Sequence, residues 1–360
     1  MPTRQTRRGP ERVADALAVE AVAAVVQRLG VMLGAGVAPA NAWIHLRDVR
    51  TEPLAASGAH GERSRDRSRD RPPDARPDAR GRARGDAAAR SAHVVARVAE
   101  AIEAGASIPD AIEAAANDEG RTGGTAGAWR ALAAAWLVAS ESGAPLAATL
   151  AETADTLRQL GQLHRDVDAA LAGPRSTARF VGIMPVVGLV FGGLLGFDTL
   201  GVLFGTAPGL ICLVAGVGLS ALAARWTGAL VARARPTQLS PGLTAQLVAI
   251  GLAGGGSTGR ARSLALAAQQ RCGLGMIDDT ESVDEALALS RRAGVPAADL
   301  LRSESQQARR EAATAAQAKA ASLGTTLMMP LGACVLPAFM LLGVAPMMIS
   351  IFSSTVTGLS

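Results

Sequence analysis

The segment of this sequence closest to a catalytic motif is the run GGGSTGRA at residues 254–261. Gly254 and Gly259 have the spacing of the glycines that frame a phosphate-binding loop, which continues with a lysine for the phosphates and a hydroxyl residue for magnesium. Arg260 and Ala261 occupy those two positions, and no strand pattern precedes the run. We therefore interpret the run as a turn between two helices.

Other residue types that support catalysis are scattered along the chain. No spacing typical of a metal site or a catalytic triad connects the four histidines, His45, His60, His93 and His164. The acidic pairs Asp278 with Asp279 and Asp284 with Glu285 lie at the start of a predicted helix, where the helix dipole favours carboxylates without a catalytic role. The three cysteines form no C-x-x-C pair, which argues against a thiolate zinc site. We expect no catalytic residue, no metal and no cofactor, and thus a protein that is not an enzyme.

The net charge of +5 is concentrated in one segment of the 360-residue chain. Residues 62–85 contain nine arginines against five acidic residues, which accounts for +4 of the total. Repeated prolines and the lack of any apolar residue larger than alanine leave this segment too little apolar surface to offset the entropy of ordering. We predict a disordered insertion at residues 51–91 and a disordered N-terminus at residues 1–12.

An arginine-rich arm that binds nucleic acid or anionic lipid is the alternative interpretation of the insertion. Aspartates interleaved with the arginines lower the positive electrostatic potential of the insertion. An aromatic content of 3% also leaves few stacking platforms for single-stranded nucleic acid. We therefore expect no nucleic-acid partner.

Two long apolar stretches indicate a membrane protein. Between residues 180 and 224 the only charged side chain is Asp198, and from residue 320 onward there is none. A helix rises about 1.5 Å per residue, so about 20 residues cross a hydrocarbon core of about 30 Å. We predict a transmembrane hairpin at residues 180–224 with spans 180–197 and 208–224, a third span at 326–352, and a polar tail at 353–360.

Basic residues flank these spans on one side of the predicted membrane. They are Arg175, Arg179, Arg225, Arg233, Arg235, Arg309, Arg310 and Lys319. The positive-inside rule then places two regions, residues 13–175 and 225–325, in the cytoplasm and the C-terminus outside. We expect a multi-pass protein of the plasma (inner) membrane with a cytoplasmic N-terminus, and no signal peptide because the first span begins about 180 residues along the chain.

Both cytoplasmic regions have the pattern of paired helices. In residues 13–50 and 92–170 apolar side chains recur every three or four positions, as at Val22, Val26 and Leu29, and alanine fills much of the remainder. Helices of this kind bury one face against each other. The predicted fold class is an all-α integral membrane protein with two antiparallel cytoplasmic helical bundles, as a tandem repeat, and three transmembrane helices.

Glycine followed by proline marks the joints between these helices. The pairs are Gly36 with Pro39, Gly105 with Pro109, Gly143 with Pro145, and Gly294 with Pro296. Glycine adopts the left-handed conformation that ends a helix, and proline is favoured at the first position of the next helix because no backbone donor is needed there. These pairs predict tight helical hairpins.

The last two joints suggest an internal duplication. After Pro145 the chain reaches a Met-Pro dipeptide at Pro185, 40 residues on, and after Pro296 it reaches another at Pro330, 34 residues on. The order of bundle and membrane helix therefore repeats.

These features together resemble the type II secretion system F family, the inner-membrane platform proteins of secretion machines and of type IV or tight-adherence (Flp, Tad) pili. The resemblance lies in residues 29–43 (LGVMLGAGVAPANAW), 139–150 (ASESGAPLAATL) and 336–346 (LPAFMLLGVAP), the last similar to actinobacterial members, and it covers about residues 15–352. The arginine-rich insertion and the glycine-rich start of the second half depart from the family pattern.

The resemblance implies a function in protein secretion or pilus assembly. A cytoplasmic ATPase would turn or shift the platform so that pilin-like membrane subunits are lifted from the bilayer, and a second platform protein or another copy of the chain would complete the machine. By this resemblance we expect the exposed joints to contact the ATPase through Glu141, Ser142, Gly143, Arg292 and Gly294. The second joint lacks an acidic counterpart of Glu141 and has Arg291 and Arg292 nearby.

A membrane subunit of a transporter, or a membrane-bound signalling scaffold, is the alternative function. A transporter is expected to have more spans and ionisable residues at the bilayer midplane. This chain has three predicted spans with an apolar midplane.

Overall fold

The computed structural model is helical throughout the residues that it describes, which are 8–59, 79–118, 124–170, 204–233, 241–275, 280–326, 331–346 and a few single positions near these ranges. The helices are α1 (Arg8–Gly34), α2 (Pro39–Ala59), α3 (Ala79–Glu103), α4 (Ile108–Asp118), α5 (Gly124–Ser142), α6 (Leu146–Ala170), α7 (Ala207–Arg233), α8 (Leu243–Ala253), α9 (Thr258–Arg271), α10 (Thr280–Ala293) and α11 (Ala297–Thr326). A final apolar segment, α12, consists of the π-helix Leu331–Val335, the α-helix Leu336–Phe339 and the π-helix Met340–Val344.

The chain divides into two compact units. Residues 1–165 and 237–313 form one, here called the helical unit, and residues 166–236 and 314–360 form the other, the apolar unit. The chain passes from the helical unit to the apolar unit within α6, and again within α11. Both passages therefore occur inside helices and not in loops.

The helical unit has a single hydrophobic core to which both of its chain segments contribute. Helix α5 is central, since it packs on α1 and α4 from the first segment and on α8 and α9 from the second. Nearly every residue from 125 to 139 is buried, and a helix that is apolar on all sides must be enclosed by neighbours. Trp43 lies between Trp129 and Trp136, with ring centroids 6.4 and 6.2 Å apart.

The two predicted bundles, at residues 13–175 and 225–325, both contribute to this core, and their division into two bundles stays a prediction. The described helices of both regions pack into one body, because α5 presents apolar surface to both. The tandem duplication itself stays a prediction.

Helices also extend into both ends of the segment predicted to be disordered at residues 51–91. Helix α2 continues to Ala59, and α3 begins at Ala79, with Ala87 and Ser91 buried. Alanine and arginine are strong helix formers, so the run ARGRARGDAAAR supports a helix that the charge count alone disfavours. Residues 60–78 lie outside the described residues, as do residues 1–7 of the predicted disordered N-terminus, whose residues 8–12 belong to α1.

Two described helices are long and apolar enough to cross a membrane, Ala16–Gly34 within α1 and Ala207–Leu230 within α7. Half of the first is buried inside the protein, against 17% of the second. The predicted span 208–224 falls in α7. Most of the predicted span 180–197 lies outside the described residues, and the predicted span 326–352 contains the shorter apolar helical segment Gly332–Val344.

Within the apolar unit, α7 packs on α12. Gly216 of α7 lies so close to Leu342 that a Cβ atom added there would be 2.5 Å from its Cγ. Large apolar side chains elsewhere on α7 point outward, with Ile211 70% and Val214 68% exposed. Close packing at a small residue together with an outward apolar surface is typical of helices in lipid.

Candidate functional site

The predicted joints are the turns between consecutive helices. Gly36, Gly105, Gly143 and Gly294 have φ angles of 87°, 92°, 76° and 69°, a left-handed conformation that side chains with a Cβ rarely adopt. Pro39 is the first residue of α2 and Pro109 the second of α4. Pro145 and Pro296 directly precede α6 and α11.

At the α5–α6 joint, Glu141 and Gly143 are exposed and Ser142 is half-buried. The Ala144 N–H donates to the Ala139 carbonyl oxygen at 3.0 Å, which closes the end of α5. Ser142 Oγ donates to the same carbonyl at 3.4 Å. Internal hydrogen bonds therefore fix this joint while its carboxylate faces solvent.

The α8–α9 joint lies against the α5–α6 joint. A Cβ atom added to Gly254 would be 2.1 Å from the carbonyl oxygen of Ser142. Gly254 belongs to the run GGGSTGRA, which forms the turn between α8 and α9. Its role as a contact point was missed by sequence reasoning, although three consecutive glycines are a signal for close backbone approach.

The end of α1 reaches the same place. Gly30 approaches α6 closely, since an added Cβ would lie 3.4 Å from both the Ala147 carbonyl oxygen and Leu150 Cβ, and one at Gly34 would lie 3.8 Å from Ala147 Cβ. The last turn of α1 therefore packs on the first turn of α6. We call Gly34, Ser142, Ala147 and Gly254 the joint cluster.

The α10–α11 joint is exposed at Arg292 and Gly294. Ser290 Oγ donates to the Val295 carbonyl oxygen at 2.7 Å, and the Gly294 N–H donates to the Ser290 carbonyl oxygen at 2.9 Å. Among the described contacts, none connects Arg292 or Gly294 with Glu141. The five predicted contact residues therefore occupy two described surfaces and do not form one demonstrated patch.

Polar side chains gather inside the helical unit where α6, α8 and α11 meet. Gln246 Oε1 accepts hydrogen bonds from Thr156 Oγ1 at 3.3 Å and from Arg309 Nη1 at 3.4 Å. Arg309 Nη2 also donates to Ser305 Oγ at 3.3 Å. We call Thr156, Gln246, Ser305 and Arg309 the buried polar cluster. Burial is the main cause that lowers the pKa of the Arg309 guanidinium, because it penalises the charged form.

Ion pairs join neighbouring helices at the surface of the helical unit. Arg47 of α2 forms two hydrogen bonds with Glu103 of α3, at 2.8 and 3.0 Å, and this contact lowers the pKa of the Glu103 carboxyl. Arg302 Nε of α11 lies 3.4 Å from Glu152 Oε2 of α6. These pairs connect helices and do not converge on one point.

The described residues offer no constellation for catalysis. Among them, no group of three or more His, Cys, Asp or Glu side chains could hold a metal ion. Burial raises the pKa of Cys272 to about 12, so its thiol is protonated at neutral pH. Ser257, in the run that resembles a phosphate loop, caps α9 by accepting from the Arg260 N–H at 3.4 Å.

Residues 82–193 match the family model of the type II secretion system protein F. The match contains α4, α5 and α6, nearly all of α3, and residues 180–193 of the first predicted span. No curated protein and no solved structure matches the chain.

Proposed function

We propose that this chain, whose residues 82–193 belong to the type II secretion system protein F family, is the platform protein of a pilus-assembly or secretion machine of the tight-adherence type. It couples a cytoplasmic ATPase to the extraction of pilin-like subunits from the membrane and catalyses no reaction of its own. Proteins of this family are membrane platforms, and the apolar helix Ala207–Leu230 is consistent with that location.

The continuity of α6 and α11 is the observation that carries this proposal. Each helix has one part in the helical unit and the other in the apolar unit. An α-helix is held by its own backbone hydrogen bonds and transmits an axial or lateral load without a flexible hinge. We propose that load from a cytoplasmic motor passes through these two helices, because neither helix ends where the chain changes unit.

The three predicted spans, a cytoplasmic N-terminus and an extracytoplasmic C-terminus belong to the same proposal. The helical unit then lies on the ATPase side, and the exposed apolar face of α7 contacts lipid or pilin-like subunits. Oligomerisation with another copy or with a second platform protein would give the machine its symmetry.

We assign the ATPase contact to the exposed joints, at Glu141, Ser142 and Gly143 and at Arg292 and Gly294. A carboxylate beside a glycine turn offers a charged group on a rigid support, which suits recognition of a basic partner surface. The joint cluster supports this role, because Ser142 is fixed by α5 on one side and by Gly254 on the other.

The charge at Glu141 gives a direct test. Glu141→Lys is expected to reduce co-purification of the ATPase with the membrane-embedded chain by about tenfold, equivalent to about 1.4 kcal/mol. Filament assembly or secretion falls with it. The control is Glu100→Lys, at an exposed position of α3 outside the two joints assigned to the ATPase contact, which leaves both measurements unchanged.

Two outcomes separate the parts of the proposal. If Glu141→Lys leaves ATPase capture and assembly unaltered, the contact assignment is wrong. If deletion of the whole gene leaves filaments and secretion intact, the platform function is wrong.

A further inference from the structure

Buried polar side chains connect the two helices that leave the helical unit. Thr156 lies on α6 and Arg309 on α11, and the side-chain oxygen of Gln246 on α8 lies 3.3 Å from Thr156 Oγ1 and 3.4 Å from Arg309 Nη1. The single proton of the Thr156 hydroxyl is shared between Gln246 Oε1 and the Glu152 carbonyl oxygen of its own helix, which is 3.0 Å away. A single amide oxygen therefore bridges α6 to α11.

A second contact reinforces the bridge closer to the start of both helices. Arg302 Nε lies 3.4 Å from Glu152 Oε2, and Arg302 also pairs with Asp299 in its own helix at 3.1 Å. Glu152 precedes Thr156 by one turn, and Arg302 precedes Arg309 by two. Polar contacts thus tie α6 to α11 at two levels.

The buried polar cluster is not the arrangement that would give the helical unit the greatest folding stability. Gln246 is 2% exposed and Ser305 fully buried, and Arg309 Nε is a buried donor without a hydrogen-bond partner among the described atoms. Arg309 as a whole is half-buried, and the partial burial of its guanidinium lowers the pKa of that group. Apolar residues of similar volume generally stabilise such a position at least as well as a buried charge. Buried hydrogen-bonded groups instead fix one arrangement of the elements around them.

We infer that the buried polar cluster is a coupling element that locks α6 to α11 through Gln246, so that the two helices move as one body when a load is applied to the helical unit. Arg309 is its positioning residue. The inference rests on the proposed platform function for the meaning of that motion, but the locking is a property of the chain and is measurable without the machine.

Distance measurement on the purified chain in lipid nanodiscs tests the locking directly. Spin labels replace Gln159 on α6 and Ser303 on α11, both exposed, after the three native cysteines are changed to alanine. Pulsed electron–electron double resonance measures the distance between the two spin labels, and this distance is expected to have a narrow distribution. Arg309→Met and Gln246→Met are each expected to at least double the width of this distribution. Arg309→Met removes the α11 contact of the bridge, and Gln246→Met removes the bridging oxygen itself, while methionine keeps an extended side chain of comparable bulk.

The control for Arg309→Met is Gln306→Met, a change of an exposed residue on the same helix, which is expected to leave the distribution narrow. Thermal unfolding is recorded for every variant. The inference requires that Arg309→Met broadens the distribution while its unfolding midpoint is unchanged or raised. The inference is overturned if the label–label distance distribution of Arg309→Met is as narrow as that of the unsubstituted chain. It is also overturned if the broadening is accompanied by a matching loss of helix content on heating.

A rescue experiment tests whether the coupling of α6 to α11 is needed for filament assembly. Arg309→Met is expected to lower filament assembly at least tenfold with ATPase capture unaltered, and a short thiol crosslink between cysteines at positions 152 and 302 is expected to restore assembly. Failure of the crosslink to rescue assembly would refute the coupling role. Absence of any assembly defect on gene deletion would instead refute the platform function, and the spectroscopic result would stand.

Discussion

Asp110 combines three interactions in the first turn of α4. Its carboxylate accepts a hydrogen bond from Ser107 Oγ at 2.5 Å, its N–H donates to the same oxygen at 3.4 Å, and it forms an ion pair with Arg271 of α9. The Ser107 hydrogen bond is the main cause that lowers the pKa of the Asp110 carboxyl, and Arg271 adds to it. Sequence alone predicted the α3–α4 joint at Gly105 and Pro109, but nothing in the spacing connects Asp110 with a residue 161 positions later.

The lowered pKa makes this contact dependent on pH. A carboxyl whose pKa in the folded state lies below its ordinary value of 3.8 contributes stability that is complete above 3.8 and is lost as the pH falls through the lowered value. Arg271→Gln is expected to reduce the free energy of unfolding at pH 6 by at most about 1 kcal/mol, since half-exposed ion pairs are screened. The difference from the unsubstituted chain should shrink as the pH is lowered below 3.8.

Thermal unfolding of the two chains from pH 6 to pH 2.5 measures this trend. Arg291→Gln, at an exposed position of α10, is the matched control and should differ little from the unsubstituted chain at any pH. A difference for Arg271→Gln that is independent of pH would show that Asp110 is not its partner.

At the scale of elements, the helix joints combine predictable and unpredictable features. Glycines at the left-handed positions could be identified from their place before a proline, because only the local backbone conformation is involved. Gly254 is different, with an ordinary φ of −78°. It is a glycine position because the backbone of Ser142 leaves no room for a Cβ, and that neighbour lies 112 positions away in the chain.

Alanine at position 254 tests the contact between the α5–α6 and α8–α9 joints. The added Cβ would lie 2.1 Å from the Ser142 carbonyl oxygen, so the two joints must separate. Gly254→Ala is expected to destabilise the protein by about 1–3 kcal/mol, as overpacking does in other cores. Chemical denaturation in detergent measures the change.

Gly259→Ala is the control for this substitution. Gly259 lies inside α9, and a Cβ there would meet nothing within 4 Å. Alanine should stabilise the helix by up to about 1 kcal/mol because glycine loses more backbone entropy on folding. Equal effects of the two substitutions would contradict the close contact at Ser142.

At the scale of the whole molecule, residues 237–313 cover a face of α5 that the first segment leaves open. A small cavity marks this interface, lined by Gly127, Ala128, Ala131 and Ala135 of α5 and by Leu243, Gln246 and Leu247 of α8, among others. The apolar surface of α5 is therefore divided between partners that precede it and partners that follow the apolar unit in sequence.

Truncation tests this division of the core. A chain that ends at residue 170 is expected to lose cooperative thermal unfolding and to bind a hydrophobic dye, because the face of α5 against α8 and α9 becomes exposed. Supplying residues 237–325 as a separate chain should restore a cooperative transition. A stable monomer with a sharp transition from residues 1–170 alone would mean that the first segment has a core of its own.

Local information in the sequence was sufficient to predict the helical character of the chain and the apolar helix at residues 208–224. It also predicted the turns at Gly36, Gly105, Gly143 and Gly294. Each of these features depends on the conformational preference or hydropathy of adjacent residues. Local information also carried the resemblance to the secretion family now matched at residues 82–193. Tertiary structure alone decided that α1, apolar enough to cross a membrane, is half buried in the core, and that helices from residues 1–165 and from residues 237–313 both pack around α5. It also decided that Gln246 lies between Thr156 and Arg309. Those outcomes depend on which surfaces meet across long stretches of chain, and hydropathy and periodicity specify that a face is buried without specifying what buries it.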